Sequence, residues 1–169
     1  VEIKKQRYIS GQQQVLRIDN ETNEVISLQH EKIIFEYFKN SFESFDVIVI
    51  SDYNKGLLTY SLVQKIILLA KKHKKPIVVD PKRDSFEIYK GATVITPNFK
   101  ELMKANKDSF QKPTIETRKI EFFSRDLIKK YNLNTVITTR SFNGLSVITK
   151  NKEAITLSSE ALEVFDVSG

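Results

Sequence analysis

The stretch DVIVISDYNKG, residues 46–56, places four consecutive β-branched residues directly against Asp, Asn, Lys and Gly. A short continuous run of this kind, bounded by turn residues, reads as a strand buried on both faces, the form that parallel sheets favour. Working outward, PIVVD (76–80), ATVITP (92–97) and NTVITT (134–139) repeat the pattern. The segments between them change period. Leu62, Val63, Ile66, Ile67, Leu69 and Ala70 recur at three and four residues, as do Ile120, Phe123, Leu127 and Tyr131, and EKIIFEYFKN (31–40) reads as an earlier helix. Strand and helix in alternation predict a doubly wound α/β domain on a mostly parallel sheet.

After Thr139 two alternating runs, GLSVIT (144–149) and EAITLS (153–158), surround a polar turn and predict a β-hairpin at one sheet edge. The opening QRYISGQQQVLRID (6–19) also alternates but is polar, so it is expected to form strand structure in a separate flap. No internal repeat, low-complexity linker or second domain is visible.

Composition narrows the classes. The chain has 169 residues, 40% of them hydrophobic, enough for one domain with a real core. No run approaches the roughly 18 apolar residues of a membrane span, and VEIKKQRYIS (1–10) lacks a signal-peptide stretch, which leaves a cytoplasmic protein as the expectation. The absence of cysteine excludes disulfides, thiolate metal sites and a thiol nucleophile. With only His30 and His73, a histidine metal site is not expected. The net charge of +6 is concentrated in AKKHKKP (70–76), which reads as the solvated end of a helix opposing its dipole. No aromatic residues interleave with it, so nucleic acid is not the expected partner.

In a parallel sheet chemistry gathers at the carboxyl ends of the strands, and here those ends deliver SDYNKG, DPKRD, TPNFKE and TTRSFNG. Each has a local structural reading. Asn98 and Glu101 match a capping box, whose spacing would equally hold a carboxylate and an amide beside a docked phosphate. Asp52 and Asn54 suit local backbone bonds in a turn with Gly56, or Asp52 and Lys55 face an anionic ligand. Pro81 forces Asp80 into extended backbone, leaving Lys82 in solvent.

Taken in order, SDYNKG, VVDPK, GATVITPNFKE, TTRSFNGLSVI and DVSG resemble the ribokinase-type sugar kinase family over essentially the whole chain. SDYxKG with DPK, and Gln13, Gln14, Arg17 and Asp19 in the QQQVLRID run, are similar to its heptose-phosphate kinase branch, which serves ADP-heptose and lipopolysaccharide core synthesis. The resemblance implies transfer of the γ-phosphoryl of ATP, with Mg²⁺, to the anomeric hydroxyl of D-glycero-D-manno-heptose 7-phosphate. It implies that Asn98 and Glu101 organise Mg²⁺ through water, and that Phe99, Lys100, Thr139, Arg140, Gly144 and Gly169 border the nucleotide. Asp52, Lys55, Lys82 and Arg17 would lie towards the sugar phosphate.

By the same resemblance residues 1–28 are a lid strand and lead-in through which a homodimer forms, and 29–169 are the α/β core. In the family DVSG continues into Ala-Gly-Asp, whose amides form an anion hole and whose aspartate is the catalytic base. The chain is therefore expected to be the middle portion of a kinase, with that base just beyond Gly169 and with no activity alone. Another carbohydrate or nucleoside kinase, or a non-catalytic α/β binding module, would share much of the pattern.

Overall fold

The computed structural model describes residues 4–106 and 116–159. Strands β1 (Lys4–Ser10) and β2 (Gln13–Asn20) pair antiparallel around Gly11 as a two-stranded sheet of their own. The expected separation of the opening segment from the main sheet is therefore present.

The main sheet has six strands in the order β3 (Ile48–Ser51), β4 (Ile77–Asp80), β5 (Val94–Ile95), β6 (Thr135–Thr139), β7 (Leu145–Thr149) and β8 (Ile155–Leu157). The first four are parallel; β7 and β8 return antiparallel as the edge hairpin. Helix α1 (Leu28–Asn40) starts three residues before the apolar pattern because Ser27 caps it, accepting from the His30 amide. Helix α2 (Tyr60–Lys72) is capped by Thr59 in the same way, and α3 (Phe99–Ala105) and α4 (Glu116–Tyr131) lie between β5 and β6.

The burial of the strands corrects one expectation. Ile50, Val79, Ile95, Val136 and Ile148 are paired across the sheet and all buried, forming one core with Leu62, Ile66 and Ile67 of α2 and Ile120, Phe123 and Leu127 of α4. The intervening positions are not buried alike: Val49 is 67% exposed and Val78 and Val94 are half-buried. Among the described residues the parallel strands thus bury one face fully, not both. Val49, Val78 and Val94 keep the run apolar, so sequence periodicity cannot reveal the difference.

Polar ties lock the helices. Glu31, 2% exposed, accepts from the Thr59 hydroxyl at 2.5 Å and from Lys65 Nζ at 2.8 Å, joining the starts of α1 and α2. Those hydrogen bonds, the Lys65 one foremost, pull the Glu31 carboxyl down to about 2. In the basic run, Lys71 and Lys72 occupy the last turn of α2, while Lys75 donates to the carbonyls of Phe42 and Phe45 and lies 4.7 Å over the Phe42 ring. That lysine is a structural clamp.

Candidate active site at the carboxyl ends of the strands

Because β3 to β6 are parallel, the turns that follow them emerge on one edge of the sheet. The turns after β5 and β6 meet directly. Asn98 and Thr139 form a parallel bridge, and the Thr139 amide donates to the Pro97 carbonyl at 3.2 Å.

The capping box is formed. Asn98 Oδ1 accepts from the Glu101 amide at 2.9 Å, and Glu101 Oε2 accepts from the Asn98 amide at 2.8 Å. Glu101 Oε1 remains, and the Lys82 ammonium lies 3.0 Å from it and 3.4 Å from Asp80 Oδ1. Lys82, expected to face a sugar phosphate, is thus brought to the Asn98–Glu101 element. Phe99 packs partly buried against the core, and Lys100 is exposed.

Beyond β6, Arg140 folds into its own turn: its amide donates to the Gly144 carbonyl at 2.8 Å and Nη2 donates to the Asn143 carbonyl at 2.7 Å. Gly144 has φ +83°, and a Cβ there would lie 2.0 Å from the Leu157 carbonyl oxygen. The glycine lets the chain after β8 pass across the turn.

The turn after β3 adopts its local reading. Asp52 Oδ1 accepts from the Asn54 amide at 2.7 Å, and Asn54 and Gly56 both have positive φ. Asp52 is only 2% exposed, and its other oxygen takes Arg83 Nε at 2.6 Å and the Tyr89 hydroxyl at 2.5 Å. Arg83 also donates to the Leu58 carbonyl at 2.7 Å. Burial, reinforced by Asp52, pushes the Tyr89 phenol well above its ordinary value, so it serves as a permanent donor. Asp52 therefore shapes the turn; its oxygens are engaged by the protein. Arg83 and Tyr89 were missed by the sequence reading, although Arg83 directly follows DPK.

Lys55 forms an ion pair with Glu21, whose carboxyl also lies 3.4 Å from Lys5. The Lys55 hydrogen bond leads in holding Glu21 below the usual carboxylate range. Above this cluster a cavity of about 320 Å³ opens between the foot of the hairpin and the edge of β3, lined by Lys5, Glu21, Ser51, Tyr53, Lys55 and Leu57 among others. Arg17 sits on the hairpin opposite Arg7 and is held by Asp19 through two bonds of 2.8 Å. Gly169 and the rest of DVSG lie outside the described residues.

The donor set bears on Mg²⁺. Among the described residues no three His, Asp or Glu side chains gather to hold a metal ion. Asp80, Glu101 and the Asn98 amide offer hard oxygens at one rim, which fits a cation that keeps several waters and is carried mainly by phosphates. No helix of the described residues is long and apolar enough to cross a membrane.

Residues 4–169 match the family model described as pfkB family carbohydrate kinase. The chain is 37% identical over 166 residues to the bifunctional protein HldE of Syntrophotalea carbinolica and 36% identical over 169 to that of Geobacter sulfurreducens. Each alignment covers 98% of this chain and 33% of the relative, so the chain spans about a third of the curated relatives' length. Among solved structures, phosphofructokinase-2 from Escherichia coli in complex with fructose-6-phosphate superposes with a TM-score of 0.63 at 13% identity, over 88% of this chain and 48% of that one. Ribokinase from Arabidopsis thaliana, complexed with ribose and ATP, gives 0.62 at 15%, over 93% and 48%. These likenesses show a ribokinase-like fold.

Proposed function

Given that the chain belongs to the pfkB family of carbohydrate kinases, we propose that it forms part of a site that transfers the γ-phosphoryl of ATP to the anomeric hydroxyl of D-glycero-D-manno-heptose 7-phosphate, in the cytoplasm. The observation that carries this reading is the junction of two strand-end turns at the Asn98–Thr139 bridge, where Asp80, Lys82 and Glu101 converge. In favour of heptose stand the SDYxKG, DPK and QQQVLRID motifs, together with relatives named bifunctional protein HldE.

Phosphoryl transfer is mostly positioning and charge neutralisation. Mg²⁺, when bound, would draw charge off the transferring phosphoryl oxygens. Asn98 and Glu101 would hold it through water, with their own geometry fixed by the capping box. Thr139, Arg140 and Gly144 would border the nucleotide from the neighbouring turn, with Lys100 exposed beside them.

The sugar phosphate is assigned to the cavity at the hairpin's foot. There Lys55 and Lys5 share one carboxylate, Glu21, and the other acid of the lining, Asp52, is already paired with Arg83, so the two ammonium groups are what an anion would meet. Arg17 would reach it from the hairpin, and Asp52 would act through the turn it stiffens. Residues 1–28 serve as lid and 29–169 as core in this reading. Tyr8, Leu16 and Ile18 share one exposed hairpin face through the Tyr8–Leu16 and Gln6–Ile18 pairs, a surface suited to a second copy.

A panel of heptose 7-phosphate, fructose 6-phosphate and ribose offered with ATP to the full-length protein tests the substrate. Heptose 7-phosphate should lead in kcat/KM by roughly a hundredfold, since charged and hydroxyl groups are both discriminated. Equal or better turnover of either other sugar would replace heptose with that substrate.

A further inference from the structure

Lys82 stands two residues beyond the end of β4, and its ammonium bridges carboxylates of two different elements, Asp80 at 3.4 Å and Glu101 at 3.0 Å. The second Glu101 oxygen is already committed to the Asn98 amide at 2.8 Å. The single oxygen with which Glu101 faces the rim is therefore the one that Lys82 occupies. Glu101 is mostly covered, whereas the lysine and Asp80 are each more than a third exposed.

A hydrated divalent cation between Asp80 and Glu101 would need the same place. It would be drawn by the same two negative charges and repelled by the ammonium within a few ångströms of it. Lysine suits such an exchange, being a compact point charge on a flexible stem with no fork to lock it to a carboxylate. The helix that Glu101 opens is secured by its own capping box, so its fold does not depend on Lys82.

We propose that Lys82 is a resident counter-cation: it pairs Asp80 with Glu101 in the metal-free site and yields its place to the divalent cation, so that it sets how much metal the site requires. The proposal makes Lys82 a positioning residue that acts through Glu101, and it rests on the phosphoryl-transfer reading above for its physiological setting.

Mn²⁺ is the probe, its binding to the full-length protein without nucleotide followed by electron paramagnetic resonance. Lys82→Gln should bind Mn²⁺ roughly threefold to tenfold more tightly than the native protein, the scale expected for one exposed charge removed beside a dication. Lys82→Arg, whose fork locks onto a carboxylate, should bind Mn²⁺ more weakly than the native protein, and Lys82→Met should repeat the Lys82→Gln result, which guards against an effect peculiar to one side chain. Glu101→Gln should weaken binding and remove most of the difference between the native and Lys82→Gln backgrounds. Binding that is unchanged or weaker in both Lys82→Gln and Lys82→Met overturns the proposal. Absence of Mn²⁺ binding in every variant would sink the proposal but not the metal's role in phosphoryl transfer, where the phosphates carry the cation. The expected Mn²⁺ pattern without sugar phosphorylation would leave the proposal standing while the kinase reading fell.

Discussion

In the six-stranded sheet the paired positions Ile50, Val79, Ile95 and Val136 are all buried, whereas in the β1–β2 hairpin every residue of both strands is exposed. Both regions are hydrogen-bonded ladders, the hairpin's register shifting once between Tyr8 and Ile9. The difference is what lies on the pleat. An isolated two-stranded hairpin is marginal in water, because backbone bonds alone do not offset the entropy of ordering the chain. The main sheet holds itself together by side chains, while the hairpin depends on its ties at Glu21 and on whatever lies against its apolar face.

The sharpest way to break this contrast is to cut into the core. Phe123 is fully buried among the helices of the main sheet, and Phe123→Ala should cost about 3–5 kcal/mol in denaturant unfolding. A cost below about 1 kcal/mol would mean that the sheet is not stabilised by this face.

A smaller effect is expected at the polar seam between α1 and α2. The Glu31 carboxyl is depressed to about 2 from 4.5, so its contribution is complete above about pH 4.5 and fades as pH falls towards 2. Glu31→Gln should cost roughly 1 kcal/mol at neutral pH and flatten the acid limb of stability between those values. A native-like pH profile in that variant would show that the seam is held by packing alone.

The smallest change is expected in the hairpin. Leu16→Ser should move the stability of the monomer by no more than about 0.5 kcal/mol, since its side chain is already half exposed. Sedimentation should instead show weakened self-association. A large loss of monomer stability with unchanged association would reverse the comparison.

Much of this was legible in the sequence, and the reasons for success and failure are specific. The four parallel strands, the helices between them, the edge hairpin and the separate opening sheet are written in local periodicity. So is the capping box, because Asn98 and Glu101 make it with each other and the adjacent backbone. What stayed hidden involves partners distant in sequence. Lys82 meets Glu101 across 19 residues and Arg83 meets Asp52 across 31, contacts that only the parallel ordering of strands creates. The one-sided burial was hidden for another reason: valines on the open face look the same as valines in a core.

Gly56 adds a backbone stitch beside the Lys55–Glu21 tie between the two regions. Its carbonyl accepts from the Ile26 amide at 3.1 Å, and a Cβ on it would lie 2.0 Å from the Glu24 carbonyl oxygen. In mechanical terms this stitch is a fulcrum and the hairpin beyond it an arm. Strand β2, with eight residues, reaches roughly 26 Å at about 3.3 Å per residue, so a 10° rotation at the stitch sweeps the tip through roughly 4–5 Å. That is more than the width of a water molecule, gained without breaking one rung of either ladder. The stiffness of the arm is set at residues 24–26 and 56 together with the Glu21–Lys55 pair, so bulk added at Gly56 would jam its travel where changes along the strands would only alter its surface.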